Sequence, residues 1–229
     1  MKLSKTHIAE LYKFTRKHFV EHYDVQTELV DHLANDIEVI WGVQPHFSFQ
    51  EACDKSFKKF GVFGFMDVIE AKQKQLGKRY TKVLLKFMKE WLSIPKLFVT
   101  LLIFTFFYIL VGFKINENVI DVFLILLTIT QIFLASKLIK KANKRFKEKK
   151  RKYLLEEMIF RTGSLNCILL FSSFLQFSNF SNGITSIWGK CFFSGLITVA
   201  IIFSYVSLII VPQKAEALLQ KNDPEYKRV

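Results

Sequence analysis

Two pairs of side chains near the N-terminus have a spacing that could bind metal. His18 and His22 are four residues apart, as are Glu28 and His32, and residues four apart on a helix share a face. Imidazoles and a carboxylate so arranged are donors for zinc. The pattern is not HExxH, because no glutamate follows His18 and the residue four after Glu28 is the histidine itself. Solvated and capping residues beside an apolar stripe fit this spacing better, so no metal is expected. The chain has no nucleophile elbow in Ser/His/Asp order, no GxxxxGK[ST] phosphate loop and no GxGxxG turn. The expectation is a protein with no catalytic residues and no cofactor. Cys53, Cys167 and Cys191 are too widely spaced for a CxxC motif and too few for a disulfide framework.

The elements that carry these residues follow from how charge and apolar content are distributed. Of 229 residues, 51% are hydrophobic and 25 are Phe, yet 23% are charged, so greasy and charged residues must be segregated. Residues 1–71 hold 8 basic and 11 acidic groups, residues 72–96 hold 8 and 1, and residues 140–152 hold 9 and 1. Compact basic blocks beside apolar runs are what membrane proteins place against an anionic cytoplasmic leaflet. A nucleic-acid binder would carry its positive charge on the folded domain, and here that domain is acidic. Nucleic acid is therefore not an expected partner.

Four apolar runs after Pro95 read as transmembrane helices, at about 97–113, 119–139, 162–178 and 191–211. The turn-prone stretch Ser178–Gly183 and the loop to Trp188 divide the third from the fourth, and Pro212 stops the last. The basic residues fall on one side of these runs. Both termini and the 140–152 loop are thus expected in the cytoplasm and the chain in the inner membrane. The first 95 residues lack a continuous apolar run, so no cleavable signal peptide is expected. Asp121, Gln131, Asn166 and Gln176 are the polar residues within the runs. Asp121 lies close enough to a loop to reach headgroups, and Gln131 and Asn166 suit hydrogen bonds between helices.

Ahead of the membrane, the pattern is helical. Ser4 is a natural N-cap for a helix carrying Ile8, Leu11, Tyr12, Thr15 and Phe19, and Asp24 is a candidate cap for a second helix ended by Gly42. Ser48-Phe-Gln-Glu51 is a capping box. Gly61 and Gly64 break the chain before a long pattern running from Phe65 to about Ile94, which Gly77 could interrupt. Residues 1–75 thus read as a helical domain, 76–95 as a basic amphipathic juxtamembrane helix, 96–212 as the membrane bundle and 213–229 as a tail. Lys72, Lys74, Lys78, Arg79, Lys82, Lys86, Lys141, Lys144, Arg145 and Lys147 are the expected contacts to anionic lipid headgroups.

A helix, then Glu28-Leu-x-x-His32-Leu, then a Ser48-Phe-x-Glu51-Ala52 helix start, then Phe57-x-x-Phe60-Gly61 resembles the small helical HAAS-type domain. Such domains precede transmembrane helices in bacterial membrane proteins, often in proteins associated with PadR-like transcription regulators. The resemblance covers about residues 5–75. Phe60-Gly61-Val62-Phe63-Gly64 stands where that family has an LG-x-P turn, and it lacks the proline. The resemblance implies a cytoplasmic interaction domain coupled to a membrane bundle, with no catalytic residues to carry over.

The expected protein is therefore all-α, with a small cytoplasmic helical domain on a four-helix transmembrane bundle. It is regulatory and non-enzymatic, with an accessory or small permease subunit as the rival reading. Its expected partners are anionic lipids and a cytoplasmic or membrane protein, and self-association stays open. The acidic residues Glu21, Asp24, Glu28, Asp31, Asp36 and Glu38 form the candidate surface for a basic partner.

Overall fold

The computed structural model describes residues 2–112, 118–149, 151–165, 167–170, 172 and 186–222. The described residues are 86% helical and hold no strand. It divides into two compact units, Met1–Lys78 with Lys149–Leu154, and Arg79–Glu148 with Leu155–Val229.

In the first unit, α1 (Lys5–Lys17), α2 (Tyr23–Val43) and α3 (Phe49–Lys58) pack around Leu11, Val25, Leu29, Leu33, Ile37, Ala52 and Cys53, all buried. Both serines expected as caps work as such. Ser4 Oγ accepts from the His7 N–H at 3.2 Å, and Ser48 Oγ accepts from the Glu51 N–H at 3.3 Å while Glu51 reaches back to the Ser48 N–H at 2.8 Å. α2 outruns Gly42 and ends at Val43. Its N-cap is His22, which makes no side-chain cap bond, so Asp24 sits inside the first turn. Burial pushes the Cys53 thiol up to about 11, which leaves it unreactive at neutral pH.

The helix after the glycine pair, α4 (Met66–Lys89), runs through Gly77 without a break and ends in the 3-10 turn Glu90–Leu92. The boundary between units falls within it, after Lys78. The separate juxtamembrane helix expected at 76–95 is its second half. Its apolar stripe, Leu76, Tyr80, Leu84 and Phe87, is buried against protein, whereas the sequence led us to expect its aromatics at headgroup depth.

The second unit holds α5 (Lys96–Gly112), α6 (Asn118–Lys149) and α7 (Ile187–Tyr205), which share a core of Phe107, Leu124, Phe193 and Ile197. Two helices are long and apolar enough to cross a bilayer, Val119–Glu148 and Ile187–Gln213. Only 17% of the apolar window of Val119–Glu148 is buried, and Ile125, Leu126, Ile129 and Phe133 are exposed along it. Such a surface would not be left to water, and it identifies a membrane protein. The described residues thus hold two such helices rather than four. At 17 residues α5 falls just short alone, and it meets the α4 segment Met66–Leu92 at a bend of 86°. Of the expected third span at 162–178, residues 162–165, 167–170 and 172 are described and helical, whereas Asn166, Gln176 and the Ser178–Gly183 turn lie outside the described residues.

Two boundaries differ from expectation for local reasons. The basic stretch expected as a loop at 140–152 stays helical to Lys149, because lysine, arginine and alanine are good helix formers and no Gly or Pro interrupts them. The last span ends at Gln213, one residue past Pro212. A π turn at Val206–Ile210 leads into the turn Val211–Gln213, and this wider winding takes in the proline that a regular helix would reject. Ile187, Trp188 and Lys190, expected before the span, form its first turns.

Candidate interaction site

The elbow between α1 and α2 is where side chains far apart in sequence converge. α1 stops at Lys17, and Phe19 takes φ +64°, a left-handed conformation that costs a non-glycine residue roughly 1–2 kcal/mol. The Val20 N–H turns back to the Thr15 carbonyl at 3.2 Å, and the buried Gln26 amide donates to the Val20 carbonyl. The chain then enters α2 with no cap bond from the His22 side chain.

A segment about 130 residues later meets this end of α2. The Tyr23 N–H donates to the Lys152 carbonyl at 2.7 Å, within a parallel bridge between His22 and Lys152. In return Asp24 Oδ1 accepts from the Leu154 N–H at 3.2 Å. Lys152 Nζ lies 2.6 Å from Glu21 Oε2, and the Arg151 guanidinium covers the Tyr23 ring at 4.1 Å. The Tyr153 ring meets Tyr23 edge-on at 5.9 Å, and Tyr23 stacks on Tyr12. Tyr153 and Leu154 are buried. The Arg151–Leu154 segment is thus gripped through backbone, charge and aromatic contacts together. Burial raises the Asp24 carboxyl above the usual carboxylate range, while the Leu154 N–H pulls it the other way.

The acidic residues expected to form a free face are mostly engaged within the unit. Glu21 and Asp24 hold the Arg151–Leu154 segment. Glu28 Oε2 receives Lys72 at 2.5 Å, Asp36 Oδ1 receives Lys59 at 2.5 Å, and Glu38 accepts from the Leu3 N–H at 3.0 Å. Asp31 is exposed. Burial disfavours the charge on Asp36, yet Lys59 and Ser56 together outweigh it and hold the carboxyl below its usual value.

Of the expected headgroup contacts, Lys74, Lys78, Arg79, Lys82, Lys86, Lys141, Lys144 and Lys147 are exposed. Lys72 is paired with Glu28. Arg145 differs from the rest: it is largely buried between Glu156, at 3.5 Å, and Glu216, with its guanidinium over the Phe160 ring. It is a packed ion-pair centre within the second unit, where the sequence pattern had it among the lipid-facing cations.

His18 and His22 do not share a helical face, whereas Glu28 and His32 both lie on α2. His18 packs on Phe14 and Phe57, with ring centroids 4.5 and 4.3 Å away, while His22 occupies the N-cap position of the next helix without a side-chain cap bond. The helix break between them removes the shared face. No group of three potential metal ligands occurs among the described residues. In the membrane part, Gln131 is buried and its Oε1 accepts no hydrogen bond among the described residues, and Asp121 lies in the first turn of α6.

Sequence reasoning missed Arg151, Lys152, Tyr153, Tyr12 and Tyr23 as parts of a site. The first two read only as the end of a basic block. The available signal was complementarity, since an acidic Glu21-x-x-Asp24 faces a basic Arg151-Lys152. No family model, curated protein or solved structure matches this chain.

Proposed function

We propose that this is a multi-pass inner-membrane protein whose N-terminal unit is a cytoplasmic interaction and signalling module. That unit receives a basic-aromatic segment in the elbow between α1 and α2. The reading rests on the Arg151–Leu154 segment held by Tyr23, Asp24 and Glu21. This is a surface built to bind peptide, carrying no catalytic apparatus, and the HAAS-like pattern of residues 5–75 agrees with it.

Connectivity supports the membrane arrangement. Arg151–Leu154 belongs to the same unit as the residues before Lys78, so the chain between must leave one side of the bilayer and return to it. α6 provides one crossing and α5 is the apolar segment available for the other. Its 17 residues span about 26 Å, and lysines at the ends can snorkel to cover the rest of a core about 30 Å thick. The basic blocks put the shared side in the cytoplasm.

A peptide carrying residues 149–154 tests the elbow directly. The wild-type chain in detergent should not bind it, because the tethered segment already occupies the site at an effective concentration on the order of millimolar. A variant with Arg151→Gly, Lys152→Ser and Tyr153→Gly should bind it, and adding Asp24→Ala should abolish that binding. If the emptied variant fails to bind the peptide, the elbow is not a peptide receptor.

A further inference from the structure

A second feature of the first unit adjoins the elbow and shares Glu21 and His22 with it. Between the end of α1 and the start of α4 is a groove of about 740 Å³. Phe57 and Phe65 line it, and Phe19, Val62, Phe63 and Met66 stand at its rim. These four rim side chains are exposed by 89%, 98%, 75% and 55%. Backbone geometry holds them outward. Gly61 and Gly64 take φ +76° and +56°, which projects Val62 and Phe63 as a tip. Phe19 adopts a left-handed backbone with its ring in solvent. Strain that exposes an aromatic ring points toward function rather than packing.

The charges beside the rim select the partner. Arg16 and Lys17 precede His18-Phe19, and Lys58 and Lys59 precede Phe60-Gly61-Val62-Phe63. All four are exposed, and Lys59 also reaches Asp36. Glu21, the acid lining the groove, is paired with Lys152. Asp67 and Glu70 on α4 are the acids that follow the tip. Cations flanking projecting Phe, Val and Met side chains are the chemistry of the anionic lipid interface. In a membrane protein the bilayer is always within reach, so even weak insertion is effective. We infer that the rim of Phe19, Val62, Phe63 and Met66 docks into an anionic lipid surface, with Arg16, Lys17 and Lys58 on the headgroup phosphates.

The test uses the full chain, with Cys191→Ser to remove the least buried native thiol. A bimane label is placed through Val62→Cys or, as a control on exposed α3, Gln50→Cys. Each is reconstituted in nanodiscs of anionic or zwitterionic lipid with brominated acyl chains. Docking predicts at least threefold stronger quenching at position 62 than at position 50 in anionic nanodiscs. That excess should fall by more than half in zwitterionic nanodiscs or with Arg16→Glu, Lys17→Glu and Lys58→Glu. Equal quenching at both positions overturns the inference. So does a label at position 62 that is shielded from aqueous quencher but untouched by bromolipid, since a protein would then cover the rim.

Discussion

Replacing Asp24 with alanine should raise tryptic cleavage of the Lys152–Tyr153 bond about 30-fold at fixed protease. The Asp24 carboxylate is the acceptor for the Leu154 N–H. Losing a bond to a charged group costs about 2 kcal/mol, which is roughly 30-fold in an opening equilibrium. Cleavage follows that equilibrium when closing is fast, because a segment bridged to His22 and covered by tyrosines cannot extend into a protease. Asp31→Ala, at an exposed position on the same helix, should leave the rate unchanged. Mass spectrometry of timed digests separates this bond from the other basic sites. An unchanged rate in Asp24→Ala would mean that the bond does not hold the segment.

In the second unit, Gly163→Val should lower the midpoint of thermal unfolding in detergent by about 2–12 °C. A Cβ on Gly163 would overlap the Tyr80 hydroxyl and lie 3.0 Å from Ser207 Oγ. These hydroxyls already meet each other at 3.3 Å. Overpacking of this kind costs about 1–3 kcal/mol, and each kcal/mol moves a chain of this size by about 2–4 °C. Tyr80→Phe removes the clashing oxygen, so the double variant should recover at least half of the loss although the single Tyr80→Phe variant is itself slightly destabilised. Loss without recovery would place the cost elsewhere than at this contact.

What was legible in the sequence was local or compositional. The caps at Ser4 and Ser48 and the break at Gly61 and Gly64 are each written in a few adjacent residues and recur in the structure. The apolar character of 119–139 and 191–211 survives as two long helices, although their ends moved. Lysines extended one helix past its expected end, and a π turn carried the other through Pro212. What was not legible depends on partners distant in sequence. Glu21 and Asp24 looked like free acids because their partners lie about 130 residues away. Arg145 looked like one cation among many because Glu156 and Glu216 are brought to it only by folding. The stripe of Tyr80, Leu84 and Phe87 has the spacing of a membrane-surface helix and of a protein-packed helix alike, and periodicity cannot tell the two surfaces apart.

The proposed function requires the first unit and its Arg151–Leu154 segment to share the cytoplasmic side of one membrane. Labelling with a membrane-impermeant maleimide in a Cys191→Ser background measures this directly, at Gln50→Cys in the first unit, Lys147→Cys near the end of α6, and Lys114→Cys between α5 and α6. The account predicts that positions 50 and 147 react only after permeabilisation, and that position 114 reacts in intact cells. Reaction of positions 50 and 147 under opposite conditions would contradict it, because the gripped segment and its receptor could not then meet.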